Sequence, residues 1–323
     1  MYVFASVLNV AMFSSVLLRS LFGMDIDTPQ GIVFCVFSSF SSLFYLLVIR
    51  YILKHKELRD NPFFLLNVAM GFCDIGNAWL MYTVLRNQVV RHGIYNAFGS
   101  KNPFAFLCTT GFQFFNNTQR FFIVVIAVNR FTAVLFPLLH KKIWTKKNAL
   151  IVILITVLVN FVICAAIEIS SPSYFILADD KIRCRMQSPS ASDGLFQFNV
   201  YLTMTSGVAV SCLYAFIIGS LIINRKKLSG ATLLSPNVFK IERKLTLCVL
   251  FHVFLLILDA GSTAMVYLLD FMRYQFNILN FVVQDLLCSS NPYLLLIFSS
   301  QLRRKMFPYT ITIKYHPRAP KVR

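Results

Sequence analysis

Apolar residues in this chain run in long blocks separated by short polar joints. Seven blocks, residues 31–53, 62–85, 103–135, 148–169, 196–223, 245–269 and 276–298, are bounded by charges or turn residues. A bilayer core about 30 Å thick is crossed by a helix of about 20 apolar residues, at about 1.5 Å per residue. The pattern therefore predicts seven membrane-spanning helices. The first block stops at Lys54-His55-Lys56-Glu57-Leu58-Arg59-Asp60, and the fourth stops before Ser170-Ser171-Pro172. The third is longer than a bilayer requires, so it should tilt or project into the cytoplasm. The longest connection, residues 170–195, carries Asp179, Asp180 and Asp193 and leaves no room for a separate soluble domain. No internal repeat or low-complexity tract interrupts the order.

The leading residues admit three readings. Tyr2 to Leu18 is apolar and then meets Arg19. It suits a signal peptide lacking a positive n-region, a short eighth span, or a segment lying along the outer leaflet. The expected organisation is an extracellular segment over 1–30, a helix bundle over 31–301, and a basic cytoplasmic tail over 302–323 with a short amphipathic helix.

Polar residues inside the blocks narrow the picture. A charge at mid-bilayer costs roughly 2.5–3.5 kcal/mol on insertion scales, so such groups face the bundle interior and pair. Asp74, Arg120, Asp259 and Asp285 stand out. Gln113, Asn116, Asn117 and Arg120 fall on one helical face. So do Asn67, Asp74 and Asn77 in the second block, and His252, Asp259, Ser262 and Thr263 in the sixth. Asn277, Asn280, Gln284 and Asn291 line up in the seventh, with Asp285 adjacent. These groups either hold the bundle together by hydrogen bonds or line a polar cavity whose pairing changes with state. Arg120, among uncharged amides, should seek a carboxylate, and Asp259 or Asp285 can supply it.

Composition agrees with lipid as the outer solvent. The chain is 57% hydrophobic and 14% charged, against about 45–50% and about 25% in soluble domains. Its 33 Phe suit lipid-facing and interfacial positions. The net charge of +18 would suggest nucleic acid in a soluble protein. Here 21 of the 31 Lys and Arg fall in the joints and tail on one side of the seven spans and 8 on the other, with Arg50 and Arg120 inside spans. The positive-inside bias then places the N-terminus outside and the C-terminus in the cytoplasm, and nucleic acid is not needed as a partner. Seven of the eight Cys lie in apolar stretches, and no Cys/His cluster has metal-ligand spacing. Gly71 to Gly76 has P-loop-like glycine spacing, but Asn77-Ala78 follows and the stretch lies inside a span. No HExxH or GxSxG occurs. Neither enzyme chemistry nor a cofactor is indicated. The sequon Asn116-Asn117-Thr118 lies inside a span, out of reach of glycosylation.

Local motifs then carry a resemblance. Asn129-Arg130-Phe131 ends the third block, followed by Phe136-Pro137 and Ile143-Trp144. The seventh block carries Asn291-Pro292-Tyr293-Leu294-Leu295, and Ser299 to Phe307 can form a short helix along the membrane. The stretch from Asn129 to Pro137 with Trp144 downstream resembles nematode chemosensory serpentine receptors of the gamma and V classes, seven-transmembrane G-protein-coupled receptors. The resemblance covers about residues 31–307. It departs from rhodopsin-like receptors where Asn129 replaces an acid, Leu295 replaces a tyrosine, and the sixth span lacks Cys-Trp-x-Pro.

The resemblance implies an all-α membrane protein, a seven-transmembrane helix bundle, in the plasma or ciliary membrane of a sensory cell. It implies a small extracellular ligand bound at Gln113, Asn116, Asn117, Arg120, Asp259 and Gln284. A heterotrimeric G protein would couple at Asn129, Arg130 and Phe131. Asp74, Asp285, Asn291 and Pro292 would form an intramembrane polar switch, with Asp74 able to pair with Asn291 and to hold sodium or a proton. A Cys108–Cys184 disulfide would tie the third span to the outer loop, whose oxidising side permits it. The basic loop from Arg225 to Lys244 would lie beside Arg130 at the G-protein face or anchor to anionic membrane lipid, the remaining partner. The rival reading is a polytopic transporter using the intramembrane carboxylates as proton or ion sites. No inverted repeat or paired Gly/Pro-broken helices support it.

Overall fold

The computed structural model describes residues 29–80, 82, 88–178, 181–228, 250–251, 253–265 and 273–307. Among these, five helices are long and apolar enough to cross a membrane: Cys35–Lys54, Pro62–Leu80, Leu107–Leu135, Lys146–Ser170 and Pro189–Ser220. Two shorter apolar stretches, Val253–Met265 and Val282–Ile297, fall in the sixth and seventh blocks. The expected positions 179, 180 and 252, and the 21 residues 229–249, lie outside the described residues.

In chain order the helices are α1 (Pro29–Lys54), the single turn α2 (Lys56–Arg59), α3 (Pro62–Leu80), α4 (Gln88–Phe98), α5 (Phe112–Leu135), α6 (Pro137–Ile143), α7 (Lys146–Ser170), α8 (Pro189–Leu228), α9 (Val253–Met265), α10 (Arg273–Phe298) and α11 (Ser300–Met306). Their ends follow local chemistry. Asn61 Oδ1 accepts the Phe63 amide at 3.0 Å and starts α3. Helix α5 ends at Leu135, two residues before Pro137, which opens α6 at the position where its missing N–H costs nothing. Thr145 caps α7 by accepting the Asn148 amide at 3.2 Å. Ser299 does the same for Leu302 in α11, also at 3.2 Å.

Two segments differ from the sequence reading. Residues 170–195 were expected to be the longest connection of an all-α protein. They contain an antiparallel hairpin, β1 (Ser173–Ala178) and β2 (Lys181–Met186), with Phe175 opposite Cys184. Its alternation, Phe175 and Ile182 buried against Lys181, Arg183 and Arg185 exposed, is a period-two signal too short to stand out beside 20-residue apolar blocks. The joint between the second and third blocks likewise contains α4. Leu107–Gly111 is one π turn at the head of α5, where such bulges concentrate at functional positions.

The core gathers Tyr45, Val48 and Ile52 of α1, Phe63, Phe64 and Leu66 of α3, Phe122 and Ile126 of α5, Tyr214 and Ile217 of α8, Leu256 of α9 and Leu295 of α10. Close approach is built in. A Cβ at Gly71 would sit 2.6 Å from the Tyr45 ring, and one at Gly76 would sit 2.5 Å from the Phe115 ring. Small residues let helix backbones meet, the usual device of membrane bundles. The opposite face is apolar too. In α7, with a mean hydropathy of 3.1, only 11% of the most apolar window is buried. Leu154, Val162 and Ile169 of that helix stand exposed. A helix hydrophobic all round and bare on most of its surface is stable only against lipid. The protein is a multi-pass helical membrane protein.

Candidate functional site

The polar residues of α3, α5, α9 and α10 meet in the bundle centre as one hydrogen-bonded chain. Arg120 Nη2 donates to Asp259 Oδ2 at 3.0 Å, with the two side chains 4% and 0% exposed. Asp259 Oδ1 accepts Gln284 Nε2 at 3.2 Å, and Asn116 Oδ1 accepts the same group at 3.3 Å. Asn77 Nδ2 reaches Gln284 Oε1 and Cys288 Sγ, each at 3.4 Å. Gln119 Nε2 bridges from Cys288 Sγ, at 3.7 Å, to Asp74 Oδ1, at 2.7 Å. Asn291 Nδ2 donates to Asp74 Oδ2 at 3.4 Å and also to the Tyr45 hydroxyl. The Tyr45 hydroxyl donates to the Asn67 carbonyl at 3.2 Å.

Of the two carboxylates open to Arg120, the structure uses Asp259. Asp285 instead accepts the Tyr82 hydroxyl at 2.8 Å. Asn77, Ala78, Gln284 and Cys288 line a crevice beside it that is too narrow to admit a water molecule. Of the residues placed apart as ligand contacts and as a polar switch, Asn116, Arg120, Asp259 and Gln284 thus join Asp74 and Asn291 in one chain, through Cys288 and Gln119 and on to Tyr45. Those three were missed. Gln119 lies one turn beyond Asn116, and its spacing was the available signal. Cys288 and Tyr45 look like ordinary core residues in sequence. Gln113 Oε1 and Asn117 Oδ1 are buried and accept no hydrogen bond among the described residues. Asn280 donates to Thr263 at 3.1 Å. The side chains of His252 and Asn277 lie outside the described residues.

Pro292 sits inside α10 and removes the amide that would bond the Cys288 carbonyl. The helix therefore lacks one rung where Cys288 and Asn291 join the chain. At the C-terminal end of α5, Asn129 and Arg130 are buried at 1% and 6% exposure. The Arg130 guanidinium carbon lies 3.6 Å from the centroid of the Phe63 ring, within cation–π range. Phe131 packs edge-on against Phe136 and Phe216. Thr132 then ties this end to α6. It accepts the Trp144 indole N–H at 2.9 Å and lies 3.1 Å from His140 Nδ1. Burial, and next the nearby Arg130 charge, hold the His140 imidazole below its ordinary pKa.

At the other end, Cys108 and Cys184 form a disulfide with Cα atoms 6.1 Å apart. Phe175, Ile182 and Ala105 pack beside it. Glu168 of α7 accepts the Ser173 amide and hydroxyl, each at 2.8 Å, and the Thr110 hydroxyl. The head of α5, the end of α7 and the hairpin are therefore one fixed cap. Among the described residues no group of three His, Cys, Asp or Glu is placed to hold a metal.

Comparison with known proteins decides the family. The family model described as Srg family chemoreceptor matches residues 32–306, nearly the whole bundle. The chain belongs to the Srg family of chemoreceptors. It is also similar to a protein of Caenorhabditis elegans named Serpentine receptor class V-1. The two are 22% identical over 260 residues, covering 79% of this chain and 81% of the relative. The matched Srg region holds the buried polar chain, the Asn129-Arg130-Phe131 end, the disulfide and α11. The Srg family is a family of chemoreceptors.

Proposed function

We propose that this protein is a seven-crossing chemosensory receptor that binds a small extracellular ligand and signals to a cytoplasmic heterotrimeric G protein. The N-terminus lies outside and the C-terminus inside, in the plasma or ciliary membrane of a sensory cell. The two shorter apolar stretches, Val253–Met265 and Val282–Ile297, supply the sixth and seventh crossings. The observation that carries the reading is the continuous buried chain from Arg120–Asp259 through Gln284, Cys288 and Asp74 to Asn291. It joins the ligand residues to the helix break at Pro292.

The mechanism is population shift. Ligand contacting Gln113, Asn116, Asn117, Arg120, Asp259 and Gln284 favours one pairing of the chain over another. Helices α9 and α10 respond about the missing rung at Pro292, with Asp74, Asp285 and Asn291 exchanging partners. Arg130, now stacked on Phe63, leaves that ring and joins Asn129 and Phe131 in a face for the G protein. The basic joint between α8 and α9 and the tail hold anionic lipid. The intramembrane carboxylates have fixed partners, Arg120 for Asp259, Gln119 and Asn291 for Asp74, and Tyr82 for Asp285, which suits a lock better than an ion path.

The test is a ligand screen with a calcium reporter in cells carrying a promiscuous G protein, beside an Arg130→Ala variant matched for surface level. A ligand response lost in the variant supports the coupling face. A response of unchanged size and potency removes Arg130 from it.

A further inference from the structure

The joint between α3 and α5 carries a bare aromatic surface. Phe98 closes α4 and is 60% exposed, and Phe104 and Phe106 follow at 39% and 41%. The turn that gathers them is held by its own bonds. Gly99, at φ 76°, takes a backbone shape that favours glycine. Asn102 donates to the Gly99 carbonyl and accepts the Phe104 amide at 3.0 Å. The Phe98 and Phe104 rings thereby meet with centroids 5.3 Å apart. Exposed rings gathered in this way form a patch and are not scattered surface residues.

Height along the bundle says what lies against the patch. Arg130 of α5 stacks on Phe63 of α3, so the two helices are level there. Phe63 follows the charged joint Lys54 to Asp60 by three residues, which puts that level near one boundary of the hydrocarbon. Trp79 of α3, also exposed, stands 16 residues beyond Phe63, about 24 Å of helix. Phe106 stands 24 residues from Arg130, about 36 Å. A bilayer is about 30 Å thick in its hydrocarbon and about 40–45 Å with its headgroups. Trp79 is therefore still in hydrocarbon, and Phe106 has reached the headgroups on the hairpin side, with Phe104 and Phe98 beside it.

Charge agrees with that neighbour. Between Trp79 and Phe106 the chain has no acidic residue, and Lys101 stands exposed in the turn between Phe98 and Phe104. The connection over 170–195, by contrast, balances its cations with Asp179, Asp180 and Asp193. Aromatic rings flanking a cation match the boundary where acyl chains meet phosphate.

We infer that α4 and the turn after it are seated in the adjoining lipid leaflet, with Phe98, Phe104 and Phe106 at the acyl boundary and Lys101 on lipid phosphate. The same joint bears the hairpin. Gln88 Oε1 accepts the Ile182 amide at 3.1 Å, and the Ser100 carbonyl accepts the Phe175 amide at 2.9 Å. Ile94 and Tyr95 pack beside the disulfide. The leaflet thus supports the cap that closes this end of the bundle. The inference depends neither on the receptor reading nor on which compartment this end faces.

The test uses the full-length protein in lipid nanodiscs that hold one copy each. The chain has two Trp, Trp79 and Trp144, and replacing both by Phe gives a dark background. On it Phe98→Trp, Phe104→Trp and Phe106→Trp are read one at a time, with Arg185→Trp, on the exposed row of β2, as the aqueous reference. Side chains of an interfacial helix lie about 5–10 Å into the boundary, so lipid brominated near the headgroup end of its acyl chain should quench the three variants by roughly half. Lipid brominated near the methyl end should quench them less, and aqueous iodide should quench chiefly the Arg185→Trp variant. Quenching of the three by iodide and not by bromolipid would put the rings in water and overturn the inference. Protection from both quenchers would put them under protein and overturn it equally. The unaltered protein gives a reading independent of any variant: a lipid with a diazirine near its headgroup should attach within residues 98–106 as well as to α7. Attachment to α7 without attachment to 98–106 would also overturn the inference.

Discussion

Consider Arg120→Met. The change leaves Asp259, fully buried, with Gln284 as its remaining side-chain donor. At 3.0 Å and an effective dielectric near 20, Coulomb attraction in the pair is about 5 kcal/mol. Losing one partner of a buried pair costs about 3–5 kcal/mol, because the other charge stays buried. At about 2 °C per kcal/mol, suited to a chain of this size, melting should fall roughly 6–10 °C. Asp259→Leu should cost a similar amount by stranding Arg120. The double variant strands neither charge and should melt within about 3 °C of the parent, since apolar replacement of a buried pair is often neutral. Gln284 keeps its bond to Asn116. A thiol-reactive dye reads the transition directly, because Cys73, Cys164 and Cys288 are buried until the bundle opens. A double variant melting below the worse single one would refute the pairing argument.

Three further outcomes follow from the same structure. Gly71→Ala and Gly76→Ala should each cost about 1–3 kcal/mol by overpacking against Tyr45 and Phe115; Gly207→Ala, which meets nothing within 4 Å, should melt like the parent in the same dye assay. His140 binds a proton more weakly in the folded state, from burial and then Arg130. Stability should therefore fall as pH drops through about 6.5, where the unfolded imidazole titrates. Comparing melting of parent and His140→Gln at pH 7.5 and 5.5 measures it, and the variant should lose that part of the pH dependence. Cys108→Ala with Cys184→Ala opens a 76-residue loop and should cost about 2–4 kcal/mol, read as lower surface level and melting; dithiothreitol should lower melting of the parent and leave the double variant unmoved.

Much of the architecture was legible because lipid imposes a simple rule, an apolar run long enough to span. The helical polar face of α5 was legible for the same reason, since buried amides and an Arg are expensive anywhere else in such a run. The partner choice was not. Spacing on one helix says nothing of which neighbour faces it, so Asp259 and Asp285 were equivalent in sequence and differ only in packing. Tyr82 resolves them by taking Asp285. Gln119, three residues after Asn116, was legible from its spacing and passed over, whereas Cys288 and Tyr45 were hidden by residue types that normally only fill space. The hairpin was hidden by its length. Its six-residue strands owe their position to the disulfide and to Glu168, contacts made across distant parts of the chain.

Every assignment of an outer ligand site and an inner coupling face depends on which end of the bundle faces the cytoplasm. Single cysteines at Ser100, exposed beside the hairpin, and at Lys142, exposed on α6, report it through a membrane-impermeant maleimide. The account predicts labelling of Ser100→Cys on intact cells and of Lys142→Cys only after permeabilisation. Labelling of both on intact cells, or the reverse order, would contradict it.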